Sequence, residues 1–425
     1  MNVDDLVIQN LDQVKIPKFY KGYQKLNSKE NENIIEDIKK DLKSKLTAVN
    51  LEPGSKIAVA AGSRGIDKIY EVTEAVIEVL KSFNLSPFII PAMGSHGGAT
   101  PEGQIDVLAD YGISEENLNV PVRASLETRV IGKTSSNIEV RFSKVALESD
   151  GIIVINRVKV HTDFSAEIES GMSKMLVIGL GKHQGASNIH SQGVDKFPEI
   201  LPEAAQIIID KAPVLFGLGL LENAVEKLCD FRIASADQII ETDKELLKKQ
   251  KELLPEIPFA EVDLLIVDEI GKNISGSGMD TNIIGKTKKV DVDIGYIFVR
   301  SITDESHGNA IGIGMADFTT KQCYDRINFK DMYTNVLTAR MLQYGRIPIV
   351  LKDEYTAIKT AILFSNKDID DIKIVKIKNT LELEEIYFSN ALLNEAENDK
   401  DISICDGKYI LDFNNQNEFE LNEVR

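Results

Sequence analysis

Tryptophan is absent from this 425-residue chain, and cysteine nearly so: Cys229, Cys323 and Cys405 are far apart and odd in number. That pattern speaks against a disulfide framework and fits a reducing compartment. No CxxC pair occurs, so a thiolate zinc site is not expected. Positive charge is the next shortage. Against 67 Asp and Glu stand 49 Lys and Arg, a formal net charge of −18, and no local basic stripe compensates. A nucleic-acid backbone or an anionic membrane is therefore not expected as a partner, whereas a small anion met by a few buried cations is allowed. The N-terminus is acidic and broken by charge, without the basic start and apolar run of a secretion signal. The protein is expected in the cytoplasm. HExxH, GxSxG and the Walker A lysine loop are all missing.

What is present is an ordinary globular composition, 43% apolar and 27% charged, over a length that exceeds one core. Strands alternate with helices. Lys56–Ala61 (KIAVAA) reads as a short apolar strand running into Gly62-Ser63-Arg64-Gly65 and then an amphipathic helix over 68–83. A second such unit follows, with a strand at 87–91, the turn Gly94-Ser95-His96-Gly97-Gly98-Ala99-Thr100, and a helix over 101–111 in which Thr100 suits the N-cap and Pro101 the first position. Residues 130–132 and 138–142 suggest a hairpin. Residues 151–156 (GIIVIN) form a buried strand that delivers the chain to His161. Parallel α/β sheets place ligands beyond the carboxyl ends of their strands, so the turns carrying Arg64, His96 and His161 are expected to converge.

Helices are expected over 197–211 and 241–253, flanking a strand at 214–220. Lysines 248, 249 and 251 and the proline-bearing residues 254–259 read as a linker. From 262 onwards the pattern resumes with a glycine-rich loop over 271–285, helices near 332–342 and 354–364, a strand at 347–351, and an acidic end expected to be a solvated edge. Ser306-His307-Gly308-Asn309-Ala310 echoes the sequence around His96, too briefly for a repeat. The fold class is α/β: two α/β domains, 1–255 and 260–425, with mainly parallel sheets and the active site in the cleft between them. The sequence does not decide between a monomer and a homo-oligomer.

Residues 158–193 concentrate the chemistry. His161, His183 and His190 lie there, with Lys174 just ahead of the apolar run 175–180, which reads as buried strand or buried helix. A lysine entering such a core either snorkels to water or is held for reaction. Two histidines on separate loops can serve as acid and base near neutral pH, and Arg64 with a loop lysine can hold a carboxylate. Gly185 weakens a helix between His183 and His190, and no carboxylate stands at a diagnostic metal spacing. The residues alone therefore stop at a His/Arg/Lys pocket for a small carboxylate.

Taken together, Lys174 and His190, sixteen apart, with His96, His161 and Arg64, resemble the nickel-dependent lactate racemase family. The resemblance implies a nickel-pincer nucleotide bound covalently to Lys174, with His190 as nickel ligand. It makes His96 and His161 the acid/base pair of a 2-hydroxy acid racemase or epimerase working by reversible hydride transfer from substrate C2. Arg64 and Lys288 would hold the carboxylate, Lys288 through the motif that begins at Asp280 and Asn282. Cofactor-synthesis enzymes are implied as partners. The chain departs from the family where Ala61 replaces an aspartate, Gly285 replaces a glutamine, and thirteen residues separate His161 from Lys174. Two other readings stand beside it: a zinc-dependent hydrolase or lyase using His161, His183 and His190, and a non-catalytic binder of a carboxylate or nucleotide.

Overall fold

The computed structural model describes Val3, residues 6–286 and residues 290–424. The chain divides into two compact units, Asn27–Leu254 and Met1–Leu26 with Pro255–Arg425. Among the described residues no helix is long and apolar enough to cross a membrane.

In the first unit the strands order as Ser86–Pro91, Lys56–Ala61, Gly151–Arg157, Val214–Glu222 and Leu228–Ser235. The first four are parallel and the last is antiparallel. Both faces are buried, as parallel sheets require. Along Lys56–Ala61, Ile57, Val59 and Ala61 pack with Ile38, Leu42, Val72 and Val76 on one side. Ala58 and Ala60 pack with Met172, Leu176, Leu201 and Leu246 on the other. The period of two thus assigns helices Ile34–Thr47 and Ile69–Ser82 to one face and Phe197–Lys211 and Ile239–Leu253 to the opposite one.

Ile239–Leu253 runs through residues 248–251, expected as linker. Its inward stripe of Leu246, Leu247, Gln250 and Leu253 is buried, and that burial outweighs the lysines on the outer face. The apolar run after Lys174 is neither strand nor regular α-helix. A short helical turn, Met172–Lys174, passes into a π turn, Met175–Gly179, a feature concentrated at functional sites. Lys182–His190 is helical despite Gly185. A side chain there would meet the Arg141 carbonyl oxygen at 3.3 Å, so glycine permits that approach.

The second unit holds a ten-stranded sheet. Ile349–Leu351, Phe318–Thr320, Asp293–Ile302, Glu261–Ile270 and Ile374–Ile377 are parallel neighbours in that order. An antiparallel extension through Glu385–Ser389 and Phe19–Gln24 follows. Sequence order assigned residues 1–26 to the N-terminal domain, but they belong with this unit. Phe19–Gln24 pairs with Glu385–Ser389 from Phe19↔Ser389 onward, Phe19 is fully buried, and Tyr20 stacks on Phe388 at 6.1 Å. The acidic end is a hairpin, Lys408–Phe413 with Phe419–Val424. It is exposed along most of its length.

Candidate active site

Ala61, Pro91 and Arg157 end adjacent parallel strands, and the segments that leave them carry Arg64, His96 and His161. These three side chains, with Lys174 and His190, line one cavity of about 350 Å³. Ser63, Asn156, Lys159, Ser170 and Met175 complete much of its wall. Every lining residue comes from the Asn27–Leu254 unit.

His96 is exposed on a loop shaped by glycine. Gly97 adopts φ +64, and its Cβ would sit 2.5 Å from the Gly103 carbonyl carbon, so the glycine inside helix Pro101–Ala109 is the space into which the loop folds. Thr100 caps that helix by accepting from the Gly103 N–H at 3.1 Å. The fully buried Gln104 donates to the carbonyls of Gly94 (3.0 Å) and His96 (3.4 Å), fixing the loop from beneath. Ser63 Oγ lies 2.5 Å from His96 Nδ1 and orients the ring. A hydroxyl can donate or accept, so it tolerates either tautomer.

His161 is held differently. Its backbone N–H donates to Glu169 at 2.7 Å, and its Nδ1 accepts from the Asp163 N–H at 3.1 Å. A neutral ring in that arrangement carries its proton on Nε2. The Asp163 carboxylate, 3.7 Å from Nδ1, is an ion partner once the ring is protonated. Phe164 packs on the ring with centroids 4.4 Å apart. Glu169, wholly buried, also accepts from Ala166 N–H (3.1 Å) and Lys251 (2.9 Å), so one carboxylate shapes the whole loop.

Lys174 keeps partial exposure because the cavity opens beside it. Among the described residues no hydrogen bond or ion pair engages its amine, although several neighbours are charged. Desolvation, reinforced by the Arg64 charge, lowers its pKa to about 8, against smaller opposing effects of Asp163 and Glu169. The same cause, burial first and the Lys174 charge second, lowers the pKa of His190, whose ring packs against Phe197 at 5.1 Å. Much of the His190 residue is still in contact with solvent; a pKa moved below 6.5 favours the neutral ring at neutral pH.

The turn that presents Lys174 starts on Asp243, a buried carboxylate accepting from the N–H groups of Met172 (2.9 Å) and Ser173 (2.7 Å). Burial raises its pKa to about 6, against the pull of those N–H donors. Asp243→Ala would leave both donors buried without an acceptor. It is expected to destabilise the protein by ~1–3 kcal/mol, read as a lower urea midpoint at pH 7 with unchanged slope.

His183 is exposed and outside the cavity lining. Among the described residues no group of three His, Cys, Asp or Glu is placed to hold a metal, so the trio His161, His183 and His190 does not converge as a zinc site requires. His307 lies in the second unit on an exposed turn with φ 48, unlike His96 at φ −67, so the two similar peptides do not share a conformation. Lys288 lies outside the described residues. Asp280 caps Thr281–Ile284, and Gly285 ends it at φ 67, a conformation that favours glycine over the family's glutamine. Sequence reasoning missed Ser63, Gln104, Glu169 and Asp243. Only Ser63, inside the Arg64 turn, left a local signal.

A larger cavity, about 690 Å³, opens in the second unit. Its principal cations are already paired: Arg300 with Asp268 (2.7 Å) and Glu354 (2.9 Å), and Lys376 with Asp268. None of the candidate residues lines it.

Residues 9–197 match the family model of the lactate racemase N-terminal domain. No curated protein matches. Among solved structures, similarity is found to a Thermotoga maritima protein, at 15% identity over 80% of this chain and 84% of that one, TM-score 0.47. It is also found to the lactate racemase apoprotein of Thermoanaerobacterium thermosaccharolyticum, at 16% identity over 85% of each chain, TM-score 0.44. Residues 9–197, the stretch that resembles the lactate racemase N-terminal domain, are also the stretch that supplies Arg64, His96, His161, Lys174 and His190.

Proposed function

We propose that the protein is a racemase or epimerase of small 2-hydroxy acids. The observation that carries this reading is the Lys174 amine, which no described residue engages by hydrogen bond or ion pair, in one cavity with a neutral imidazole, an arginine and two further histidines.

These donors fit the family's nickel-pincer nucleotide. Lys174 is a desolvated amine suited to acylation, and neutral His190 offers the borderline nitrogen that nickel takes. When bound, that group supplies the hydride acceptor for substrate C2. The chain's own residues do the rest. Arg64 seats the carboxylate with its planar fork, so the hydroxyl-bearing carbon is oriented before reaction. His96 and His161, on different loops, hold and return the hydroxyl proton, one ring serving each enantiomer.

The test is to produce the chain together with the cofactor-synthesis enzymes, measure its intact mass and nickel content, and follow loss of optical activity from enantiopure 2-hydroxy acids. The expected result is a Lys174 adduct, one nickel per chain and racemisation. An unmodified lysine without nickel under those conditions overturns the reading, and ligand-induced thermal stabilisation without turnover would leave a non-catalytic carboxylate binder.

A further inference from the structure

The amine of Lys174 has a second chemistry open to it before any cofactor arrives. It lies in a cavity of about 350 Å³ with Arg64, His96 and His161. No described residue engages it by hydrogen bond or ion pair, in contrast to the buried Lys182, whose ammonium donates to the Pro91 carbonyl. An uncommitted amine beside a carboxylate-binding arginine and proton-carrying imidazoles is the arrangement that imine-forming lysines use.

We propose that the unloaded protein captures 2-oxo acids as a covalent imine on Lys174, with Arg64 seating the carboxylate. The Lys174 nitrogen forms a bond to the keto carbon while the carbonyl π electrons move to oxygen. Both protons of the neutral amine pass to that oxygen, relayed by the histidines, and the carbon–oxygen bond breaks to release water. No oxidant or reductant takes part. His161 suits the relay, because its Nδ1 already accepts from the Asp163 N–H and its Nε2 therefore carries a transferable proton. The imine occupies the same nitrogen as the cofactor linkage, so a 2-oxo acid would compete with loading. This inference shares with the proposed function the Lys174 nitrogen, the histidines and the seat of the carboxylate on Arg64, but needs neither nickel nor cofactor.

The test uses the full chain made without the cofactor-synthesis enzymes, incubated with pyruvate and sodium borohydride, then analysed by intact mass and peptide mapping. Mapping in the wild-type protein locates the adduct without relying on the folding of a variant. The expected result is one reduced adduct, on Lys174, and none with lactate, which lacks the carbonyl. Acetone, which lacks the carboxylate, should react ~10–100-fold less, and Arg64→Met should cost a similar factor with pyruvate. Adducts spread over surface lysines, an equal yield with acetone, or no adduct at all would overturn the inference. A trapped adduct on a chain that, once loaded, turns over no 2-hydroxy acid keeps this inference and removes the racemase. Efficient racemisation by a chain that traps no pyruvate does the reverse.

Discussion

At pH 7 the Lys174→Met protein is expected to be more stable than the wild type by ~1–3 kcal/mol and to take up no covalent cofactor at all. The stability gain follows from the amine's position. Its pKa is lowered from 10.5 to about 8, chiefly by desolvation and then by the Arg64 charge, and each pKa unit corresponds to ~1.4 kcal/mol between the two protonation states. Because the folded-state value is the lower one, the cost of burying the charge is fully present below pH 8. It fades as pH rises from about 8 through 10.5, above which the amine is neutral in both states. The gap between variant and wild type should therefore be widest near neutrality and close in alkaline buffer. Methionine keeps the apolar stem and packs where the lysine stem did. Urea unfolding at pH 7 and near pH 10, beside intact mass after co-production with the cofactor-synthesis enzymes, measures both halves. A variant less stable than wild type at pH 7 would mean that the amine serves as a structural partner, and the lysine would lose its assigned role. A residue that weakens the fold and is kept for chemistry is the usual form of the stability–function trade-off.

How much of this arrangement was legible in the sequence depended on whether a signal was local. Lys56–Ala61 and Gly151–Arg157 stood out because a parallel strand buried on both faces is apolar throughout. Leu228–Ser235 did not: it is an antiparallel edge strand whose Asp230 and Arg232 break the apolar run. Phe19–Gln24 finds its partner at Glu385–Ser389, far along the chain, and nothing near residue 20 indicates which unit it joins. The run after Lys174 is too short to show a period, which is why strand and helix were equally readable there and a π turn was not.

The site divides the same way. Histidine, arginine and lysine in glycine turns advertise themselves by type, so Arg64, His96 and His161 could be singled out from the turns alone. Gln104, Glu169 and Asp243 are ordinary polar residues in sequence. Their roles come entirely from burial, which places each beneath a loop or turn that carries one of the candidate site residues. Such supporting groups hold functional side chains within a fraction of an ångström of their working positions, and tertiary contacts alone reveal them.

The other large effect belongs to the two cavity-loop histidines. His96→Gln and His161→Gln, each made in cofactor-loaded protein, are expected to lower kcat for interconversion by ~10²–10⁴ in both directions, the range for loss of a positioned proton carrier. Glutamine preserves much of the ring's reach and hydrogen bonding but cannot take up a proton. KM should change little if Arg64 seats the carboxylate as proposed, since neither ring is then needed to hold it. The rings differ in their supports, Ser63 Oγ at 2.5 Å for His96 against the Asp163 N–H and carboxylate for His161, so the two variants should not be equivalent. In a single turnover, the enantiomer whose hydroxyl meets the remaining histidine should still be converted to the 2-oxo acid. Its mirror image should not, and the preference should reverse between the variants. Steady-state polarimetry with each enantiomer gives the first result, and rapid-quench analysis of enzyme-bound 2-oxo acid gives the second. Full turnover by either variant would remove that ring from the proton pathway, and loss of the same enantiomer in both would show that the histidines act from one side of the substrate, an arrangement that cannot racemise.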